Sequence, residues 1–393
     1  MGNLVEWVNL PLELWLVIAK NMNTTIDVIR FRSICNLLRS IIPPPLQSPS
    51  YRLRTLDDKF WQLVQTKVYR LEPLIPTCSS NSFSNIGWII KVEESKSGKF
   101  RHLDVLTNTS ITHTYPFNVL DFMNLRVREL FQAYNFYSSK YVCHWTTFQP
   151  GNDVNKVVLF PVEGRGQMAF VLNKDKKLRV CNVGYNNLII VGDGNRVYDD
   201  LILYMGKVYV VDTNGIIFRI NCSSFTLVQS SPPLNSGGKK KYLVESNGRL
   251  FVVDMYYERK RLNAYDLNID TSVLIVDNDL SRWFRVSDLG DDLFVLGKDS
   301  NFSLSAKDYY GFERNCIYFH CRNRIVRISL NNSEINVKGT NLNLLVSCST
   351  SISSCAMVTS DLDKQVIEFE YFNDKLLVDQ LDFHSLINQD LIK

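Results

Sequence analysis

The sequence predicts a mainly β protein, a small N-terminal helical unit followed by a β-propeller of kelch- or WD-like blades. Three observations predict it. Asn9 to Ser40 carries apolar residues at helical spacing. From Gly87 onward, short β-rich runs alternate with turn clusters about every ten residues. Four of those runs repeat, starting at Gly166, Gly206, Gly248 and Asp292, at intervals of 40, 42 and 44 residues.

In the helical unit, Pro11 suits a first helical turn because its missing N–H is not needed there, and Glu13 favours the positive helix end. Leu10, Leu14, Val17 and Ile18 then form one apolar stripe. Asn23, Thr24 and Thr25 break that helix and offer an N-cap, with Asp27 in the next first turn. Val28, Phe31, Ile34, Cys35 and Leu38 give a second stripe that lasts to the Pro43-Pro44-Pro45 stop. So few residues bury too little to offset chain entropy alone, so the apolar surface implies a partner. A generic amphipathic hairpin packed on the protein's own body is the bland alternative.

Leu10-Pro11, Glu13-Leu14, Ile18, Asp27 and the run Arg30-Phe31-Arg32-Ser33-Ile34-Cys35 ending in Arg39-Ser40 resemble an F-box over about residues 5–45. The resemblance implies docking onto the Skp adaptor, and through it cullin, of a Skp-cullin-F-box ubiquitin ligase. The adaptor-binding residues it implies are Leu10, Pro11, Glu13, Leu14, Ile18, Phe31, Arg32, Ile34, Cys35 and Leu38, either in contact or holding the helices that are. The tryptophan usual just before the late arginine is Leu38 here.

Composition bounds the rest. A chain of 393 residues with 45% hydrophobic and 12% aromatic content can bury a sizeable core. A net charge of +4, from 44 basic and 40 acidic residues, implies no nucleic-acid partner. Apolar runs are too short to span a membrane. Glu6 and the broken pattern after it predict no secretory signal, and Glu6 stands where a myristoylation motif wants Ser or Thr. Nine scattered cysteines fit a reducing cytoplasm or nucleus.

Residues 46–86 read as a linker and lead-in segment, stiff at first because consecutive prolines favour extended backbone. Residues 87–393 read as the propeller. The echoes are Gly166 to Val171, Gly206 to Val211, Gly248 to Val253 and Asp292 to Leu296. Each precedes a second strand, as at Gly215 to Ile220 after Asp212-Thr213-Asn214, or Leu262 to Leu267 after Tyr257 to Lys260. A period in the low forties is the length of one four-stranded blade. Gly87 to Ile90 with Lys99 to Leu106 supplies an earlier blade, and Cys316 to Leu330 with Val366 to Phe372 the last. A Greek-key sandwich is the alternative architecture.

Gly87 to Leu106, Tyr198 to Gly215, Tyr242 to Asp254, Trp283 to Leu296, Phe302 to Asp308 and Asn315 to Phe319 are similar, in order, to plant F-box proteins with a KIB-type β-propeller. The resemblance runs from about Ser33 to His320. It implies a non-catalytic substrate-recognition subunit in nucleus or cytoplasm, without cofactor or metal, presenting an unknown protein substrate on the propeller. The alternative is a propeller that binds a partner such as a kinase without ligase assembly, a reading that Leu38 keeps open.

Candidate chemistry is weak beside this. Cys316, His320 and Cys321 lie on a predicted strand, where neighbours face opposite ways, so one ion is hard to share. Cys143-His144 diverge for the same reason. Gly164-Arg165-Gly166 and Gly192-Asp193-Gly194 precede no helix and read as hairpin turns. Asp199-Asp200 and Asp291-Asp292 resemble hydrolase carboxylate pairs but read as turn residues. Lys239-Lys240-Lys241 reads as a solvated basic loop, with nuclear import the sharper alternative.

Overall fold

The computed structural model describes residues 10–22, 25–43, 51–54, 60–73, 87–94, 100–110, 119–120, 125–142, 145–150, 154–183, 188–234, 237–259, 267–276, 282–309, 311–321, 324–331, 335–338 and 367–368. Asn23, Thr24, Cys143, His144 and most of Leu262 to Leu267 lie outside them.

Three short helices open the chain, α1 (Leu12–Lys20), α2 (Thr25–Ser33) and α3 (Asn36–Ile41). Pro11 stands at the N-cap of α1 with extended backbone, and its carbonyl accepts from the Leu14 and Trp15 N–H groups. The second apolar stripe, expected to be continuous, is cut at Cys35, whose φ of −158° and ψ of 164° are extended.

Strands follow as β1 (Tyr51–Arg54), β2 (Phe60–Pro73), β3 (Trp88–Glu94), β4 (Phe100–Leu103), β5 (Val119–Leu120), β6 (Leu125–Val142), β7 (Trp145–Pro150), β8 (Val154–Val162), β9 (Gly166–Asn173), β10 (Leu178–Asn182) and β11 (Ile189–Ile190). All but β5 join in one sheet, β11-β10-β9-β8-β6-β2-β3-β4, with β1 on β2 and β7 on β6. The β6–β8 link is a single pair, Tyr134 with Val157. It divides the sheet into two blades, one of β2, β3, β4 and β6 and one of β8 to β11. Phe60–Pro73 therefore belongs to the ring, and the boundary expected at Gly87 falls inside the first blade.

Two antiparallel meanders supply the third and fourth blades. The third is β12 (Tyr198–Tyr204), β13 (Lys207–Asp212), β14 (Ile217–Asn221) and β15 (Thr226–Gln229); the fourth is β16 (Lys240–Ser246), β17 (Arg249–Arg259), β18 (Leu267–Val276) and β19 (Trp283–Val286). Tyr257 to Arg259, expected as a turn, instead extend β17 and pair with Ile269 to Leu267. The fifth blade holds β20 (Asp292–Leu296), β21 (Asn301–Ser305), β22 (Cys316–Cys321), β23 (Arg324–Ser329) and β24 (Ile335–Lys338). Its spatial order is β21-β20-β22-β23-β24, so β22 runs parallel to β20. Cys316 to Leu330 thus completes the blade that Asp292 begins. Of Val366 to Phe372, the described β25 (Ile367–Glu368) pairs with β5.

The echoes mark one position in four of the five blades. β9, β13, β17 and β20 are each the second strand from the axis. Two of their glycines exist for the turn before them. Met205-Gly206 and Asn247-Gly248 have positive φ at both residues, the type I′ geometry that matches strand twist in a two-residue hairpin. β20 has no inner strand before it in sequence, which is why its echo starts with Asp292.

Apolar layers hold neighbouring blades together, and among the described residues they close a ring of five. Leu63 and Phe136 pack with Val157 and Val171 between the first two blades. Phe170 and Val180 meet Leu201 and Phe218. Val211 and Ile217 meet Leu243 and Val252. Val253 and Val273 meet Phe294 and Ile317. Val295 and Tyr318 of the fifth blade return to Val68 and Ile89 of the first. A blade is buried on both faces, so its strands read as nearly unbroken apolar runs. Each fully buried large side chain contributes about 1.5–3 kcal/mol.

The axis is polar. Asp200, in β12, accepts from Lys156 Nζ of β8 at 2.7 Å and from the Leu201 N–H at 2.8 Å on one oxygen. Its other oxygen accepts from the Leu243 N–H of β16 and Asn301 Nδ2 of β21, both at 2.6 Å. Four blades meet on one carboxylate. Asp299, fully buried, accepts from Lys91 Nζ at 2.5 Å, Asn135 Nδ2 at 2.6 Å and Ser300 Oγ at 3.1 Å. Burial alone would raise its pKa; the Lys91 charge and the hydrogen bonds from Lys91, Asn108 and Ser300 outweigh that and hold it below the ordinary carboxylate value.

Asp199-Asp200 are thus not turn residues. The β12–β13 register shifts between Tyr198 and Asp200, and this irregularity lets both neighbours turn inward. Asp199 takes Lys176 Nζ at 2.7 Å and the Lys241 N–H at 3.1 Å.

Two stability predictions follow from this geometry. Replacing Asp200 with alanine strands the buried Lys156 ammonium and orphans the Leu243 amide, so the denaturant midpoint should fall by the equivalent of about 3–5 kcal/mol. An unchanged midpoint would refute the axial role. His102 of β4 is buried, and burial pulls its pKa from 6.5 to about 4, Asp104 opposing weakly. The unfolded chain takes this proton near 6.5 while the fold resists it to about 4, so stability present above 6.5 is lost as pH falls between the two. The loss should reach about 3 kcal/mol. His102→Gln should flatten that slope in pH-resolved melts.

Candidate functional site

Inside the helical unit, Phe31, Leu38 and Ile42 are buried with Trp15, Ala19, Met22, Val28 and Ile41 around them. The Trp15 and Phe31 rings stand 5.5 Å apart, tilted. On α1 the core side is therefore Trp15 and Ala19. The predicted stripe is the opposite side: Leu14 is 45% exposed, Val17 52% and Ile18 36%. Ile34, at 64%, and Leu37 continue the exposed set after the chain bends at Cys35.

The residues expected at the adaptor fall into two groups. Pro11, Glu13, Leu14, Ile18, Ile34 and Cys35 are exposed, and Leu10 is half-buried. Phe31 and Leu38 are interior, Leu38 at 2% exposure, where they hold the helices together. Arg32 is half-buried and donates to the Ile42 carbonyl, tying α2 to the end of α3. Leu12 and Leu37 are exposed apolar residues that the pattern missed. The break at Cys35 resets the helical phase, turning Leu38 in and Leu37 out. Leu38, the departure from the tryptophan usual in F-boxes, thus acts on packing.

α2 seats this unit on the ring. Ile29 packs on Tyr69, Leu71, Ile90, Val92 and Leu125 of the first blade, and Arg30 donates to the Leu125 carbonyl.

On the propeller, Gly164 and Gly166 lie in the β8–β9 turn with φ of 73° and 75°, as a hairpin requires. Gly192-Asp193-Gly194 is no hairpin; it links β11 of one blade to β12 of the next, its end held where Lys177 Nζ donates to the Gly194, Asn195 and Arg196 carbonyls. Asp291 pairs with Lys307, and Asp292 accepts from Ser246 Oγ at 2.9 Å and Asn247 Nδ2 at 2.6 Å. Cys316 to Cys321 is a strand, as its alternation predicts. Among the described residues, no three His, Cys, Asp or Glu side chains gather as metal ligands. No helix among them is long and apolar enough to cross a membrane.

Of Lys239 to Lys241, the first two are exposed, as a solvated run would be, and the third is not. Lys240 and Lys241 begin β16, and Lys241 is buried, donating to the Gly238 carbonyl at 2.6 Å with Asp254 Oδ1 at 3.4 Å. A Cβ at Gly238 would fall 1.9 Å from that carboxylate oxygen, so only glycine fits beneath the pair.

A helical unit with an uncovered apolar side, seated on a five-bladed ring, agrees with the comparisons to known proteins. The KIB1-4 beta-propeller family model matches residues 60–340. The F-box protein SKIP23 of Arabidopsis thaliana is 31% identical over 344 residues, 78% of this chain and 81% of that protein. F-box protein At2g17036, from the same plant, is 28% identical over 78% of this chain and 80% of its own length. F-box protein At4g35733 is 26% identical over 85% of this chain and 94% of its own. The chain belongs to the family of plant F-box proteins that carry a KIB-type β-propeller.

Proposed function

We propose that this chain is the substrate-recognition subunit of a Skp-cullin-F-box ubiquitin ligase, working in nucleus or cytoplasm. The observation that carries the reading is the apolar surface that the helical unit leaves exposed. Phe31, Leu38 and Ile42 already fill its core, yet Leu12, Leu14, Val17, Ile18, Ile34 and Leu37 stay open to solvent. Single exposed apolar residues are ordinary, but six on about thirty residues ask for a cover. A specific interface buries roughly 800 Å² per partner around a few apolar anchors, which suits short helices presented on a rigid body.

In this reading the chain supplies no acid, base or nucleophile. The adaptor and cullin hold one end, the propeller holds a protein substrate, and a substrate lysine stays near a ubiquitin-charged conjugating enzyme. The rate gain is effective concentration, which short rigid connections raise to about the millimolar range or above.

Co-expression of the full chain with a recombinant Skp adaptor tests this. Wild type should be captured. Leu14→Asp with Ile34→Asp should weaken capture by about tenfold or more, because charge enters a desolvated contact, while circular-dichroism melts stay unchanged because both sites are exposed. Leu38→Ala should act differently, destabilising the helical unit by about 2–5 kcal/mol through a cavity. A folded wild type that the adaptor fails to capture overturns the reading.

A further inference from the structure

The helical unit meets the ring through two adjacent residues of α2. Ile29 packs on the cluster of Tyr69, Leu71, Ile90, Val92 and Leu125, which Trp88 and Val127 flank. Arg30 donates to the Leu125 carbonyl, with Asp27 of its own helix 3.9 Å from the guanidinium and only 23% of the side chain exposed. Leu125 in turn pairs with Pro73, the last residue of β2. The seat therefore stands at the far end of β2.

The chain enters the ring at the other end of that strand. Tyr51, the first residue of β1, pairs with Leu63, ten residues before Pro73. At the rise of a β-strand, those ten residues cover about 33 Å. From Pro43, just past α3, to Tyr51 is eight residues, which reach at most about 29 Å. The connection is shorter than the distance from the seat to the entry point. Pro43 must therefore stand nearer to Leu63 than the seat does, with the exit of the helices turned back along β2.

These attachments act in different ways. An apolar contact and a hydrogen bond on neighbouring residues make a pivot, about which a small helical unit could still turn. A short connection pulling from the opposite end of β2 opposes that turn. Together they hold the helical unit in one orientation on the first blade. Transfer by proximity depends on that orientation, because effective concentration is high only for acceptors that the geometry brings to the donor.

We propose that Ile29 and Arg30 are positioning residues for ubiquitin transfer. With the Pro43 to Tyr51 connection, they aim the ring so that one side of it, and one subset of its lysines, faces the conjugating enzyme. The proposal rests on the ligase reading and adds how that assembly is aimed.

The substrate is unidentified, so the acceptors in the test are the chain's own lysines. Lys174 of the second blade, Lys207 of the third, Lys239 and Lys240 of the fourth, and Lys298 and Lys307 of the fifth are exposed and point the test in different directions around the ring. The full chain is built into a reconstituted Skp-cullin-F-box ligase, and the modified lysines are mapped by mass spectrometry. Wild type should modify a restricted subset. Ile29→Asp with Arg30→Ala, carrying a Gly/Ser insert of roughly ten residues after Pro45, should be captured by the adaptor as wild type is. Its modification should spread to lysines that wild type spares and fall by about threefold or more at the favoured ones. Ile29→Val, which keeps the apolar contact, should keep the wild-type pattern. The insert alone removes no contact and should spread the pattern partway.

A second readout is direct. Spin labels on encoded amino acids replacing the exposed Lys20 and Lys207 avoid the nine cysteines. Wild type should give one narrow distance distribution, and the seat variant with the insert one at least about twofold wider. A broad wild-type distribution, or a lysine pattern that the variant leaves unchanged, overturns the proposal. Failure of wild type to bind the adaptor sinks the ligase reading and the transfer role with it, whereas a captured wild type with scattered modification sinks the aiming alone.

Discussion

The meeting of four blades at Asp200 is the constraint on which the rest of the structure depends. Apolar layers between blades supply most of the stabilisation, but such layers are tolerant: Val, Ile and Leu slide past one another at little cost. A carboxylate that must satisfy Lys156, Leu243, Asn301 and its own strand at once is not tolerant. Its desolvation is offset only when four blades arrive in one register, so it converts loose apolar stacking into one arrangement. Asp299 does the same between the first and fifth blades through Lys91, Thr66 and Asn135. The two carboxylates together give the ring its fixed axis.

That axis was the part of the fold least legible in the sequence. The blade period was readable because the second strand of each blade has one environment, buried on both faces after a tight turn, and one environment selects one residue pattern. Met205-Gly206 and Asn247-Gly248 repeat for the same local reason. Asp199-Asp200 gives no such signal. Adjacent carboxylates before an apolar run look like turn chemistry, and only the register slip at Tyr198, together with Lys156, Lys176 and Leu243 from distant segments, makes them axial. Of the first blade, β3 and β4 were readable from Gly87 to Leu106, and the other half was hidden, because its long pairing joins Phe60–Pro73 to residues some seventy positions later. In the fifth, the Asp292 echo and Cys316 to Leu330 were readable but their union in one sheet was not, because β21 lies inside β20, against the chain order of the others.

In the helical unit, periodicity located the apolar residues but not the direction they face. A helix with apolar side chains on two sides offers two stripes, and spacing alone does not say which one the chain covers itself. Bulk decides it. Trp15 and Phe31 fill the interior, and the slimmer Leu14, Val17 and Ile18 are left outside. Cys35 adds a phase break that no hydrophobic count contains, since its extended backbone moves Leu38 inward and Leu37 outward. The candidate site was thus half legible: its composition was on the page, its sidedness was not.

The axial network and the helical unit bear on each other through β2. Thr66 of this strand touches the Asp299 cluster, Arg70 lies beside Asp308 with its guanidinium 5.0 Å from the Tyr309 ring, and Pro73 pairs with the residue whose carbonyl Arg30 holds. One strand therefore runs from the Asp299 cluster at one mouth of the ring to the seat of the helices. Strands paired on both sides do not stretch, and packed interiors transmit displacement with little loss. Whatever is held at the mouth is held at a fixed distance and direction from whatever covers Leu14 and Ile34. A recognition subunit that works by effective concentration needs that property above any catalytic group, because a flexible connection of the same length would spread the bound segment over a far larger volume. The buried lysine–carboxylate pairs, costly as packing, are what make the connection stiff.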